Sequence, residues 1–386
     1  MCVARRFIFQ DRLIDKLSYM KTGIITFHRA FNFGAVLQAY ALQRTLERLG
    51  FTTEIVDYGS VGEGSRFPNV RLTLKSVISF IKCLLCTAGA DDLKRKRYRQ
   101  FRKQYLVVSK SRYRDSEALK DADYACYVVG SDQVWNPVFS KAHPGYFLDF
   151  TEGRVISKKI AYAPSFGLSE LPDEWVDYYR SCLFKFDYIS CREDEGQRII
   201  KKLLGRSCPV LLDPTLLLTC HDYDKIAKES GKKTKYICCY TVGASRWTSV
   251  IAKKIAKKRG LRIKYLCSGA RASWFGNQKF SSAGPSEFLG IVKNASLVVT
   301  NSFHGSVFSV IYQRPFFVCK NGTEGDSRLL TFLNTIGLVD RLIDPQNTCD
   351  EDFQERPINY SLCNVLLSIE REKSLSYLQE ALGIAK

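Results

Sequence analysis

The chain has 386 residues, 45% of them hydrophobic and 12% aromatic. That excludes a disordered or collagen-like chain and points to two cores, because single cores stop growing near ~250–300 residues. Lys and Arg number 58 against 39 Asp and Glu, a net charge of +19 that favours anionic partners: nucleic acid, an anionic membrane face or phosphorylated substrates.

In chain order, no secretory signal pattern is visible at the start, since Asp11 and Asp15 interrupt any apolar region there. The first strand pattern follows Met20, so residues 1–19 are read as an upstream extension outside the native protein. Gly23 to Phe27 is a short apolar strand and His28 to Gly34 a loop. Ala35 to Leu49 has helical spacing at Leu37, Tyr40, Ala41 and Leu46, with Gly50 as a natural stop. Thr53 to Tyr58 is the next strand. This βαβ unit predicts a parallel sheet with right-handed crossovers. Residues 60–120 are expected to be mostly helical and basic. Within them Val77 to Ala90 is broken by Lys82 and too short to span ~30 Å of hydrocarbon. Cys83 and Cys86 have CxxC spacing but no second pair and no nearby histidine, which fits a buried helical face. The fourteen cysteines are read as reduced core residues.

Tyr124 to Val129 is a buried strand ending in Gly130-Ser131-Asp132. Lys159 to Ala163 is another, and Tyr188 to Ser190 runs into Cys191-Arg192. The helix Glu195 to Leu204 and the apolar run Val210 to Leu212, ending in Asp213-Pro214, follow. A second alternating series has strands at Tyr236–Thr241, Arg262–Cys267, Leu297–Thr300 and Phe316–Val318. Its helices are expected at Thr248–Arg259, Ser286–Asn294 and Ser306–Gln313. A last helix spans Val365 to Leu382. The fold class is therefore α/β, with two doubly wound Rossmann-like domains facing a cleft, at residues 20–225 and 226–350. Residues 351–386 form a linker and a C-terminal helix. Ligands in such sheets sit at the carboxyl ends of the strands, which places the site in the cleft.

Several polar clusters fall there. Thr300-Asn301-Ser302-Phe303-His304-Gly305 joins a strand tip to a helix start near Ser306. Free N–H groups at a helix start attract phosphate, and a histidine among them can bind phosphate or act as an acid. Gly305 lets the backbone approach a ligand closely. Arg192 follows a strand in the same manner and can grip carboxylate or phosphate, or simply pair with Glu193 or Asp194. Asn32-Phe33-Gly34-Ala35 is either a ligand loop or a plain N-cap by Asn32. Ser131, Asp132, Gln133 and Trp135 combine polar groups with an aromatic face that would cover a sugar; a tight turn with a core Trp is the alternative. Lys94 to Lys103 holds seven basic residues in ten, with Tyr98, Phe101 and Tyr105 at helical spacing. It fits an amphipathic helix on an anionic membrane, a nucleic-acid patch, or a basic helix packed on its own domain.

Taken together, Asn32 to Leu42, Gly130 to Asn136, Asp213-Pro214, Thr300 to Gly305, Asp326-Ser327-Arg328 and Gly337 to Arg341 resemble the polysaccharide pyruvyl transferase family. The resemblance implies a fold like that of GT-B glycosyltransferases. It implies phosphoenolpyruvate as co-substrate, no further cofactor, and as acceptor a sugar of a bacterial surface polysaccharide, free or lipid-linked. The product is a pyruvate ketal. By position, Arg192 and His304 match the family's arginine and histidine implicated in donor binding and catalysis.

The expected catalytic residues are therefore His304, Arg192 and Asp132, with Asp132 as base toward an acceptor hydroxyl. The expected substrate-binding residues are Asn32, Gly34, Ser131, Gln133, Trp135, Asn301, Ser302 and Gly305. No metal site is expected. The expected location is the cytoplasm, with peripheral contact at the inner membrane face through Lys94 to Lys103. The rivals are a glycosyltransferase using a nucleotide sugar, a nucleic-acid-binding protein, and a non-catalytic scaffold of polysaccharide assembly.

Overall fold

The computed structural model describes residues 21–59, 92–140, 143–153, 158–229, 234–243, 245–268, 282–322, 324–346 and 357–384. The boundary at Met20, the stretch Val77 to Ala90 and the Cys83–Cys86 pair lie outside the described residues.

The first sheet contains β1 (Thr22–Ile25), β2 (Thr53–Tyr58), β3 (Val108–Tyr113), β4 (Cys126–Gly130), β5 (Lys158–Tyr162) and β6 (Tyr188–Ile189), all parallel, in the order β3-β2-β1-β4-β5-β6. The second contains β7 (Tyr236–Val242), β8 (Arg262–Ser268), β9 (Leu297–Thr300), β10 (Phe316–Cys319) and β11 (Leu342–Ile343), also parallel, in the order β11-β10-β9-β7-β8. The chain is thus two parallel-sheet α/β domains. Strand order reverses between β1 and β4 in one sheet and between β7 and β9 in the other. A doubly wound sheet opens a crevice at such a point. The strand tips there are Gly130-Ser131-Asp132 and Thr300-Asn301-Ser302.

One apolar core runs through both domains. It joins Ile24, Val128 and Ile160 of the first sheet to Cys238, Val298 and Val318 of the second. The helix Phe33–Arg48 lies within it, buried along nearly its whole length, which is why its sequence is apolar on most faces. Its two buried amides are satisfied. Gln38 donates to Thr26 Oγ1 at 2.8 Å and accepts from Ser131 N at 3.1 Å, while Gln43 pairs with both backbone groups of Val107. At its start, Phe33 stacks on Phe288 of the second domain, with ring centroids 4.6 Å apart.

The helix Tyr360–Leu382 ties the domains together a second time. Tyr360 donates to Arg314 O at 2.6 Å in the second domain. Further along, Ser374 Oγ accepts from Leu212 N at 3.1 Å and Tyr377 donates to Ala161 O at 3.0 Å in the first. Among the described residues, no helix is long and apolar enough to cross a membrane.

Two expectations are corrected. Of residues 60–120, expected to be mostly helical, 60–91 lie outside the described residues, and Val108–Tyr113 is not helix but the edge strand β3. Its central Lys110, Ser111 and Arg112 are exposed, and charge on an edge hides the strand pattern while guarding against edge pairing. Val210, in the apolar run before Asp213, makes an isolated bridge to Cys191. The aromatic face expected on a membrane at Lys94 to Lys103 is used internally. Tyr98 is fully buried and stacks on Phe33 at 5.8 Å, and Phe101 is buried against Tyr40. Lys94 itself is buried and donates to Cys267 O at 3.2 Å. Without those rings, only a basic face remains toward solvent.

Candidate active site

The two switch-point tips meet across the domain boundary at one buried carboxylate, Asp213. It follows the bridge residue Val210 by three positions and caps a short turn: its Oδ1 accepts from Thr215 N at 3.0 Å and from Thr215 Oγ1 at 2.6 Å. Its Oδ2 accepts from Arg192 Nη1 at 2.6 Å and from Ser131 Oγ at 3.1 Å. The same oxygen lies 3.5 Å from His304 Nε2. Burial pushes the Asp213 carboxyl up. His304, Arg192 and Thr215 more than offset that, so it stays ionised well below the usual carboxylate range.

Arg192 is 1% exposed at its side chain and lies over the Phe303 ring, 4.6 Å from its centroid. Burial lowers its pKa, and Asp213, Asp132 and Glu193 raise it by more, so the guanidinium is held charged. It is not the surface ion pair that Glu193 or Asp194 could have made. Its Nε and Nη2 are buried without a hydrogen-bond partner, and Asp132 Oδ1 stands 3.6 Å from Nη2. His304 Nε2 is likewise buried without a hydrogen-bond partner. A buried donor left unpaired costs ~1–3 kcal/mol, so the two on Arg192 mark a site tuned for something other than stability.

The second domain contributes its part through a helix that begins earlier than expected. Ser302 is the N-cap of the helix Phe303–Ile311, its hydroxyl accepting from Gly305 N at 3.3 Å. His304 therefore sits in the first helical turn, not in a loop before Ser306. The reason is that Ser302 is extended and its side chain satisfies one of the free N–H groups. Asn301 holds the strand tip by pairing with both backbone groups of Val242, at 2.8 and 2.9 Å. Gly305 is needed because a Cβ there would collide with Thr300 and Tyr240.

Gly34 has a role legible only in three dimensions. A Cβ on it would fall inside the His304 imidazole, so its absence lets the ring seat against the first domain. Asn32 is the N-cap of the helix Phe33–Arg48, its Oδ1 accepting from Gly34 N at 2.9 Å. Asp132 adopts a left-handed backbone, φ 63°, which aspartate tolerates. Ser131 is fully buried and donates to Ala163 O and Asp213. Gln133 accepts from Asn136 Nδ2 at 2.9 Å and is half-buried.

Trp135 corrects an expectation. It is fully buried, its Nε1 donates to Tyr146 O at 3.1 Å, and its ring stacks on Phe147. An indole enclosed on both faces cannot cover a sugar; it anchors the core beneath the strand tip. The structure thus brings Arg192, His304, Asp132, Ser131, Ser302, Gly305 and Gly34 together, with Asn32 and Asn301 as braces, and leaves Trp135 outside.

Two residues had been given no role. Asp213 was visible as the acidic end of an apolar run before proline and, with Pro214, as one of the motifs that resemble the family. Arg328, on the helix Ser327–Thr335, has a buried Nε without a hydrogen-bond partner, and burial followed by the nearby Arg192 charge holds its pKa below the usual value. Among the described residues, no group of three or more His, Cys, Asp and Glu is disposed to hold a metal ion.

The fold and the cluster together define a two-domain parallel α/β protein with a buried cluster of arginine, histidine and aspartate where its domains meet. The sequence profile of the family described as polysaccharide pyruvyl transferase matches residues 32–323, and the chain belongs to that family. No curated protein matches the chain in sequence. Similar solved structures include the UDP-GlcNAc 2-epimerase of Methanocaldococcus jannaschii, in complex with UDP-GlcNAc and UDP. It is 12% identical, with 95% of this chain and 100% of that one covered, at a TM-score of 0.45. The UDP-N-acetylglucosamine 2-epimerase from Rickettsia bellii is 11% identical, covering 94% and 97%, at 0.47. The glycotransferase of kitacinnamycin is 10% identical, covering 94% and 99%, at 0.45.

Proposed function

We propose that the protein transfers the pyruvyl group of phosphoenolpyruvate to two hydroxyls of a sugar in a bacterial surface polysaccharide, or its lipid-linked precursor, forming a pyruvate ketal. Family membership supports the transfer, and one observation carries the site. Arg192 and His304, from different domains, share Asp213, and Arg192 keeps Nε and Nη2 buried without hydrogen-bond partners. A small ligand with separate carboxylate and phosphate groups suits such donors.

Arg192 offers Nε and Nη2 to one anionic group of the donor. His304 protonates the donor methylene, which becomes the methyl group and leaves C2 electrophilic. One sugar hydroxyl attacks C2 and gives up its proton. Phosphate leaves with the C2–O bonding pair, and a second hydroxyl of the same sugar closes the ketal, releasing its proton. Asp132 is the base for an acceptor hydroxyl. Of the two carboxylates beside Arg192, its side chain is 12% exposed, whereas that of Asp213 is 0% exposed and cannot reach an acceptor. Asp213 holds Arg192 and faces the imidazole.

Thermal-shift titration tests the donor. Stabilisation by phosphoenolpyruvate and not by nucleotide sugars is expected. Stabilisation by a nucleotide sugar alone would replace this reading with a glycosyltransferase.

A further inference from the structure

We infer that Arg328 is the second guanidinium of this anion site. It takes one anionic group of the donor while Arg192 takes the other, so the ligand bridges the two domains. Only the identity of the donor rests on the pyruvyl-transfer reading; the site itself rests on the following geometry.

The start of the helix Ser327–Thr335 is fixed to the strand tips of the second domain. Asp326, immediately before it, accepts from Asn321 N at 3.0 Å and Gly322 N at 2.9 Å. Asn321 in turn accepts from Asn301 Nδ2 at 2.6 Å, beside the His304 turn. One helical turn beyond Arg328, Thr331 Oγ1 accepts from Asp194 N at 3.3 Å and donates to Asp194 Oδ2 at 3.2 Å. Residues i and i+3 share a helix face. Arg328 is therefore on the face that packs against Arg192-Glu193-Asp194.

Of the neighbouring carboxylates, Asp213 and Asp326 are committed, whereas Glu193 keeps Oε2 buried without a hydrogen-bond partner. Asp213 serves Arg192, Ser131 and Thr215. Glu193 Oε1 accepts from Ser165 Oγ, Phe166 N and Gly167 N. Asp326 serves the Asn321 loop. Arg328 Nε, Arg192 Nε and Arg192 Nη2 are all buried without hydrogen-bond partners. Burial disfavours the Arg328 charge most, and Arg192 adds to that; Glu193, Asp132 and Asp326 offset part of it. Two guanidiniums that repel and retain buried donors are a poor arrangement for stability alone. They are a good one for a ligand with two negative groups.

The test is titration of wild type and Arg328→Gln with inorganic phosphate, phosphoenolpyruvate and UDP-glucose, together with donor and acceptor KM values. We expect Arg328→Gln to weaken phosphoenolpyruvate binding on the order of tenfold or more, as loss of a charge-assisted pair does. The donor KM should rise accordingly with the acceptor KM unchanged, and the melting temperature should stay level or rise. A residue with only a structural role would lower the melting temperature and leave the donor KM alone. Wild-type affinity in Arg328→Gln overturns the inference and leaves the pyruvyl reading standing. Arg328-dependent binding of UDP-glucose without binding of phosphoenolpyruvate overturns that reading and keeps the inference. Binding of none of the three by wild type overturns both. Should Arg328→Gln fail to fold, Arg328→Lys decides: it keeps the charge but loses the fork, so weakened binding supports the inference and wild-type affinity sinks it.

Discussion

Among the described residues, two clusters of one histidine, one arginine and one aspartate stand at strand tips, and they differ in how completely they are satisfied. In the first, His28 uses both ring nitrogens, one on Thr26 O at 3.1 Å and one on Asp57 Oδ1 at 3.0 Å. Arg29 grips both Asp57 oxygens through Nε and Nη2. In the second, Arg192 spends one nitrogen on Asp213 and keeps two buried without hydrogen-bond partners, and His304 Nε2 stands 3.5 Å from Asp213 Oδ2 without making a hydrogen bond. The aspartates do not distinguish the clusters. Burial raises both carboxyls, and the neighbouring bases bring both below the ordinary range. What separates a structural triad from a site is the unused donors.

Substitutions can break that comparison. The largest effect is expected for Arg192→Ala and His304→Ala, which should each lower kcat by ~10²–10⁴-fold, the usual worth of a positioned acid or charge. Steady-state kinetics with melting curves would check this, and His28→Ala should show the reverse pattern of lost stability with kcat kept per folded molecule. Next, Asp213→Asn strands a buried arginine and should cost about 3–5 kcal/mol in urea denaturation, along with activity. Asp57→Asn should cost less, because Arg29 is 19% exposed and can recover water, and should leave kcat of the folded fraction intact.

Smaller is Gly34→Ala, whose new Cβ overlaps His304. Overpacking of about 1–3 kcal/mol is expected, with a kcat loss exceeding what unfolding explains. The smallest effect is on acid stability. The folded-state pKa values of Asp213, Asp57 and Asp222 are all lowered: burial raises each, and bonds to neighbouring groups outweigh it, those to Arg48 and Thr219 bringing Asp222 to about 2. Lowered carboxyl pKa values give stability that is full above the unfolded value of ~3.9 and lost as pH falls through the folded values. Melting temperature should therefore hold down to about pH 4 and decline below it. A decline beginning near neutral pH would contradict this assignment.

Much of the fold was legible because parallel strands buried on both faces read as short apolar runs; Leu297–Thr300 and Thr53–Tyr58 fall where the pattern puts them. The edge strand Val108–Tyr113 did not, since its middle is exposed and basic. His304 and Arg192 were legible from their positions after strands. Asp213 and Arg328 stood out only within stretches that resemble the family, because nothing local marks a carboxylate as shared between domains or an arginine as buried at their boundary. Trp135 misled for a related reason: sequence places an indole near a strand tip but cannot say that Phe147 encloses it. The start of the His304 helix depended on Ser302 turning extended to cap it, a choice between two adjacent turns that spacing alone leaves open.

The central claim is tested most directly by incubating the purified protein with phosphoenolpyruvate and competent lipid-linked glycans and weighing the products. The account predicts a glycan heavier by one pyruvate less one water with wild type, and no such product with His304→Ala or Arg192→Ala. A wild type that forms no pyruvylated glycan but transfers a hexose from a nucleotide sugar, or an unimpaired His304→Ala, would contradict it.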